Sequence, residues 1–149
     1  MEQPNITWYA KLDKEEQFEA TTDFYAGTYT PSHKISVDIQ VWNNRFGLKD
    51  VETLSNFYIL AYFENIEDSA LFDYCTVALN NSIILDLKKS GKKVILDLPD
   101  TISLSGTKND GKLQGNESHY LNLEFVFDAE GEKLKENDLK SLFFQIVQK

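Results

Sequence analysis

The residues of this chain that could make or break bonds are two histidines, one cysteine and three groups of carboxylates. Neither His33 nor His119 has a partner at helical i+3 or i+4 spacing or within a Cys/His cluster, so no zinc- or iron-type ligand set is present. Each lies at the start of an extended segment among polar residues and reads as an ordinary surface or edge histidine. Cys75 sits among Leu71, Phe72, Tyr74 and Val77, where it reads as a small buried hydrophobe. That apolar setting raises a thiol pKa and disarms it as a nucleophile. The chain contains no G-x-S-x-G elbow, no Walker loop and no G-x-G-x-x-G run. It therefore reads as a non-enzyme.

The carboxylates fall into Glu64, Glu67 and Asp68, then Asp97 and Asp100, then Asp128, Glu130 and Glu132. Calcium takes six to eight oxygens of this kind, and none of the groups has EF-hand spacing. No cofactor is called for; calcium is the one ion these acids leave open, and no residue is singled out as its ligand. The same acids could form a glycosidase pair, which depends on one of them being buried.

The aromatics carry the sharper expectation. If the strand ending at Trp42 pairs with the strand 57–63, one sheet face displays Asp38, Gln40 and Trp42 beside Tyr58 and Tyr62, with Leu60 between them. Sugar rings stack their C–H faces on aromatic rings while polar neighbours meet the hydroxyls, so this face suits a carbohydrate. The competing reading covers these rings with another sheet or a loop.

The elements that must position these residues are mostly strands. Ile35, Val37, Ile39 and Val41 alternate with Ser36, Asp38, Gln40 and Trp42, the period of a half-buried strand. The segment 57–63 alternates with both faces apolar and reads as a central strand; 121–127 is a third clear case. Weaker strands are predicted over 6–12, 18–29, 77–79, 83–87, 93–98, 102–104 and 142–147. Polar turns separate many of them: Asn80-Asn81, Ser90-Gly91, Asn109-Asp110-Gly111 and Glu130-Gly131. One helical turn is predicted at 68–75, and 132–142 reads mainly as loop leading into the last strand. The polar stretch 106–119 reads as a mobile surface loop. The expected fold is all-β: a single domain over 1–149, an antiparallel two-sheet β-sandwich of jelly-roll or Ig-like kind with one or two short helical turns.

Bulk composition bounds the partners. At 149 residues with 42% apolar and 13% aromatic side chains, the chain can build a core without metal or disulfide, and its one cysteine cannot make an internal bridge. Net charge is −9, and the only close basic cluster is Lys88, Lys89, Lys92 and Lys93 around Gly91, which reads as a solvated hairpin tip. Nucleic acid and anionic membrane surfaces are thus not expected as partners. No apolar run is long enough to span a membrane, and the first residues lack the apolar core of a secretory signal. The compartment is undetermined: as written, the product reads as cytoplasmic when synthesised, or as released within an assembly.

Two stretches resemble the family 3 carbohydrate-binding modules, the cellulose-binding type. Residues 35–45 with 50–63 are similar to that family's strand, Asn-containing turn and leucine-then-aromatic strand. Residues 119–146 are similar to its late strand, turn and closing strand, with Asn137 where the family's turn has glycine. Phe72-Asp73-Tyr74-Cys75 resembles a short Cys-Asp-Tyr motif there, with the cysteine displaced. The resemblance implies a nine-stranded sandwich and a bound calcium. The sequence thus points first to a non-catalytic recognition module with carbohydrate as the leading ligand class. The alternative is a structural or adhesion component of a larger assembly, such as a phage tail or cell-surface appendage, with a protein partner and oligomers formed through strand edges. A small glycoside hydrolase is third.

Overall fold

A computed structural model describes residues 1–12, 18–21, 23–24, 28–29, 35–63, 71–128, 137–138 and 142–149. The described chain is mostly β. Its strands are β1 (Ile6–Leu12), β2 (Glu19–Thr21), β3 (Asp23–Phe24), β4 (Thr28–Tyr29), β5 (Ile35–Asn43), β6 (Leu54–Ser55), β7 (Phe57–Phe63) and β8 (Cys75–Leu79). They continue with β9 (Ile83–Ile84), β10 (Leu87–Ser90), β11 (Lys93–Leu96), β12 (Ser103–Leu104), β13 (Tyr120–Phe127), β14 (Asn137–Asp138) and β15 (Leu142–Gln148). Single turns of 3-10 helix cover 71–74 and 117–119, the first within the predicted helical turn.

A six-stranded sheet has the order β2-β1-β5-β13-β8-β9, and a five-stranded sheet the order β10-β11-β7-β15-β3. Two small pairs, β12-β6 and β14-β4, complete the described strands. Every one of these strand pairings is antiparallel. The expected all-β class therefore stands, but one expected pairing does not. β5 lies between β1 and β13, and β7 lies between β11 and β15. Alternation shows which residues share a face; it carries no information about which strand lies alongside.

The core follows from that alternation. Val37, Ile39 and Val41 of β5, Leu121, Leu123, Phe125 and Phe127 of β13, and Phe57, Ile59, Ala61 and Phe63 of β7 belong to one buried cluster. Rings from the two large sheets meet in it, Phe125 on Phe144 at 5.4 Å and Phe63 on Phe127 at 6.0 Å. Each fully buried side chain of this size stabilises the fold by about 1.5–3 kcal/mol, so these alternating positions set the register.

Smaller differences from the predicted strands have local causes. The segment 18–29 holds three short strands, and 83–87 breaks at 85–86 before β10. Asn80 and Asn81 adopt φ of 51° and 61°, as their turn position anticipates. Gly91 turns the β10–β11 hairpin at φ 65°, with all four of its lysines exposed. His33, the acids Glu64, Glu67, Asp68, Glu130 and Glu132, and most of 132–142 lie outside the described residues.

Candidate functional site

Trp42, next to last in β5, lies on the face turned away from the core cluster, yet it is 0% exposed, and Gln40 on the same face is 2% exposed. The indole Nε1–H donates to Gln40 Oε1 at 3.1 Å. Its ring stacks on Tyr120, its cross-strand partner in β13, with centroids 4.5 Å apart. The Arg45 guanidinium lies 4.5 Å from both the Trp42 and Tyr9 ring centroids and 4.9 Å from that of Phe46. Arg45 thus lies as a lid over the Trp42 ring, and its Nε–H, donating to the Gly111 carbonyl at 3.0 Å, ties that lid to the 106–119 segment.

Two buried asparagines hold the lid closed. Asn43 Nδ2 donates to the carbonyls of Glu52 and Leu104 at 2.9 and 3.0 Å, and its Oδ1 accepts from the Asn5 amide at 3.0 Å. Asn44 Nδ2 donates to the carbonyls of Lys49 and Gly106, both at 2.8 Å. Asn44 and Phe46 both have φ of 60°, a region asparagine tolerates and phenylalanine rarely enters. A Cβ at Gly111 would run into the Phe46 ring, so the glycine is what lets the two segments approach.

The stretch 106–119, expected as a surface loop, holds no strand, and side-chain hydrogen bonds tie it down at several points. Asn109 Oδ1 accepts from Gly111 N and its Nδ2 donates to the Asn44 carbonyl at 2.7 Å. The Lys112 amide, then the Asn116 side chain, hold the exposed Asp110 carboxyl below its ordinary range. Polar composition alone cannot distinguish a solvated loop from one whose Asn and Asp side chains satisfy its backbone. His119 is likewise buried, contrary to the surface or edge expectation. Its Nδ1 lies 3.3 Å from the Asn43 carbonyl, which can only accept, and its Nε2 lies 3.2 Å from the Thr107 hydroxyl. His119 thus braces the lid, stacked 6.5 Å from Trp42.

The five residues expected to form one ligand face are divided between two sheets. Asp38, Gln40 and Trp42 belong to β5 of the six-stranded sheet, where Asp38 pairs with Lys11 at 3.6 Å. Tyr58 and Tyr62 belong to β7 of the five-stranded sheet. Burial of Trp42 and the absence of a β5–β7 pairing remove the expected joint face.

Tyr58 and Tyr62 nevertheless stand on a half-exposed face of their own. Residues directly opposite in a ladder share a face, and β15 places Phe143 opposite Tyr62, Gln145 opposite Leu60 and Val147 opposite Tyr58. β11 adds Ile95 opposite Leu60. The Tyr62 and Phe143 rings stack at 5.4 Å with a 20° interplanar angle, and Lys93 Nζ lies 4.6 Å from the Tyr62 centroid. Lys88 of β10 and Asp97, just beyond the end of β11, form an ion pair at 3.0 Å. Phe143, Gln145 and Val147 were not legible as site residues, because β15 is apolar at nearly every position and its facing strand is far away in sequence.

Reactive groups are scarce here. Among the described residues no three His, Cys, Asp or Glu side chains come together as a metal site. Burial pushes the Cys75 thiol up from 9.0 to about 12. The folded state therefore holds this proton more tightly than the unfolded chain. The resulting stability is present below pH 9 and is lost as pH rises from 9 towards 12. Cys75→Ala should remove that component, and urea melts of both proteins across this range check it; parallel pH slopes would refute it. Native Cys75 should also react with a disulfide reagent far more slowly than in urea.

Compared with protein-family models, with curated proteins and with solved structures, the chain matches none. No described helix is long and apolar enough to cross a membrane.

Proposed function

We propose that this chain is a non-catalytic recognition module, a two-sheet β-sandwich of jelly-roll or Ig-like kind, that binds carbohydrate on the outer face of its five-stranded sheet. The observation that carries this reading is the half-exposed row Tyr58, Tyr62 and Phe143 on one strand-paired surface, with Gln145 and Lys93 beside it. Rings stack on sugar C–H faces while the amide and ammonium meet hydroxyls. The resemblance to family 3 carbohydrate-binding modules points the same way.

The test is a glycan array and affinity electrophoresis with and without calcium, comparing wild type with Tyr58→Ala/Tyr62→Ala. Both positions are half-exposed, so the variant should keep its circular dichroism spectrum. Loss of each stacking ring costs about 1 kcal/mol or more, so binding should weaken by at least about tenfold. Equal binding by both proteins would move the ligand off this face. No binding by either would favour assembly.

The assembly reading has its own support. Edge strands are usually guarded by charge, as β10 is by Lys88 and Lys89, but β9 presents Ile83 at 46% and Ile84 at 68% exposure. Concentration-dependent sedimentation that Ile84→Lys abolishes would favour this reading.

A further inference from the structure

A cleft of about 220 Å³ opens between the 71–74 turn and the β10–β11 hairpin. Phe72, Asp73, Lys89, Gly91, Lys92 and Lys93 line it. It is smaller than the roughly 300 Å³ at which drug-sized pockets begin, which suits one ring or one charged substituent. Its cations are unevenly committed. Lys89 pairs with Asp73, and the ammonium of Lys93 rests on the Tyr62 ring. Lys92 is exposed and has no acidic partner among the described residues.

We propose that this cleft receives the carboxylate or sulfate of an anionic sugar residue, whose polymer continues across Tyr62 and Phe143. This deepens the carbohydrate reading above and rests on it. Two observations combine. The cleft holds the one close basic cluster of a chain with net charge −9. Lys93 belongs both to the cleft lining and to the aromatic face, so the two are continuous. The overall negative field repels an anion at long range, so selectivity here comes from short contacts within a Debye length of about 8 Å.

The experiment is isothermal titration calorimetry with dextran, dextran sulfate, polygalacturonate and polyglutamate. Three variants accompany wild type: Lys92→Gln/Lys93→Gln, Lys108→Gln/Lys112→Gln, and Tyr58→Ala/Tyr62→Ala. The second removes the same charge from exposed positions in the 106–119 segment. Wild type should bind dextran sulfate or polygalacturonate more tightly than dextran, and comparison of those two separates sulfate from carboxylate. Lys92→Gln/Lys93→Gln should weaken that binding about tenfold or more, while Lys108→Gln/Lys112→Gln leaves it unchanged. Equal loss in both lysine variants would reduce the effect to diffuse charge and overturn the cleft. Polyglutamate binding as tight as that of the polysaccharides would overturn the sugar assignment. Dextran binding that needs the tyrosines but ignores the lysines would keep the carbohydrate reading and overturn this one. Failure of every polysaccharide to bind would overturn both.

Discussion

Trp42→Ala is expected to destabilise the protein by about 4–5 kcal/mol, the upper part of the range for truncating a buried large aromatic. The side chain is fully enclosed, so its removal leaves a cavity between Tyr120 and the Arg45 guanidinium. It also takes the donor from Gln40 Oε1, a buried acceptor held at 3.1 Å. For a chain of this length each kcal/mol lowers the melting temperature by about 2–4 °C, so a drop of roughly 10–15 °C is expected. Urea and thermal melts followed by circular dichroism measure it. Tyr62→Ala, on the open face, should cost about 1 kcal/mol through its lost stack on Phe143. If the two variants melt alike, Trp42 is not enclosed. A Trp42 variant is for the same reason a poor probe of ligand binding, since it disturbs the fold before it disturbs any surface.

The second large effect is expected for Asn43→Asp, at about 3–5 kcal/mol near neutral pH, from unpaired buried polar groups and an uncompensated buried charge. The substitution keeps the shape and the acceptor facing the Asn5 amide. It replaces two N–H donors with an oxygen that faces the carbonyls of Glu52 and Leu104. Burial then favours the protonated form of the introduced carboxyl, raising its folded pKa above the unfolded one near 3.9. Stability linked to that proton is present at low pH and lost as pH rises, so the deficit relative to wild type should widen between about pH 4 and pH 7. Urea melts at the two pH values decide it. A deficit that stays constant would mean the side chain reaches water. Hydrogen exchange at the Asn5 amide gives a local readout, because that amide loses protection if the clamp opens without global unfolding.

These two residues also mark where sequence reading ends. Trp42 sits on the polar side of an alternating strand, and periodicity alone places it on a face that could be open or covered. The cover includes Arg45, joined to Gly111, and the rings of His119 and Tyr120, all of the last three more than sixty positions along the chain. Asn43 and Asn44 carry no local signature of a clamp, for their partners Leu104 and Gly106 lie 61 and 62 positions away. The 106–119 loop makes the same point: several of its polar side chains bind backbone, and only the folded chain shows which backbone.

By itself the amino-acid sequence determined the mainly β character, strands β1, β5, β7, β13 and β15 to within a residue at each end, the Asn80-Asn81 and Gly91 turns, and a shielded Cys75. Those features depend on side-chain period, on residues that accept positive φ, and on burial of local apolar runs, all of which are short-range. Tertiary structure alone decided that β5 lies between β1 and β13, that Trp42 and His119 are interior, and that Tyr58 and Tyr62 share their face with Phe143 instead. Strand order and loop closure depend on contacts between residues distant in sequence. Backbone ladders of many different orders satisfy the same hydrogen bonds, and only simultaneous burial of all the apolar faces selects one of them.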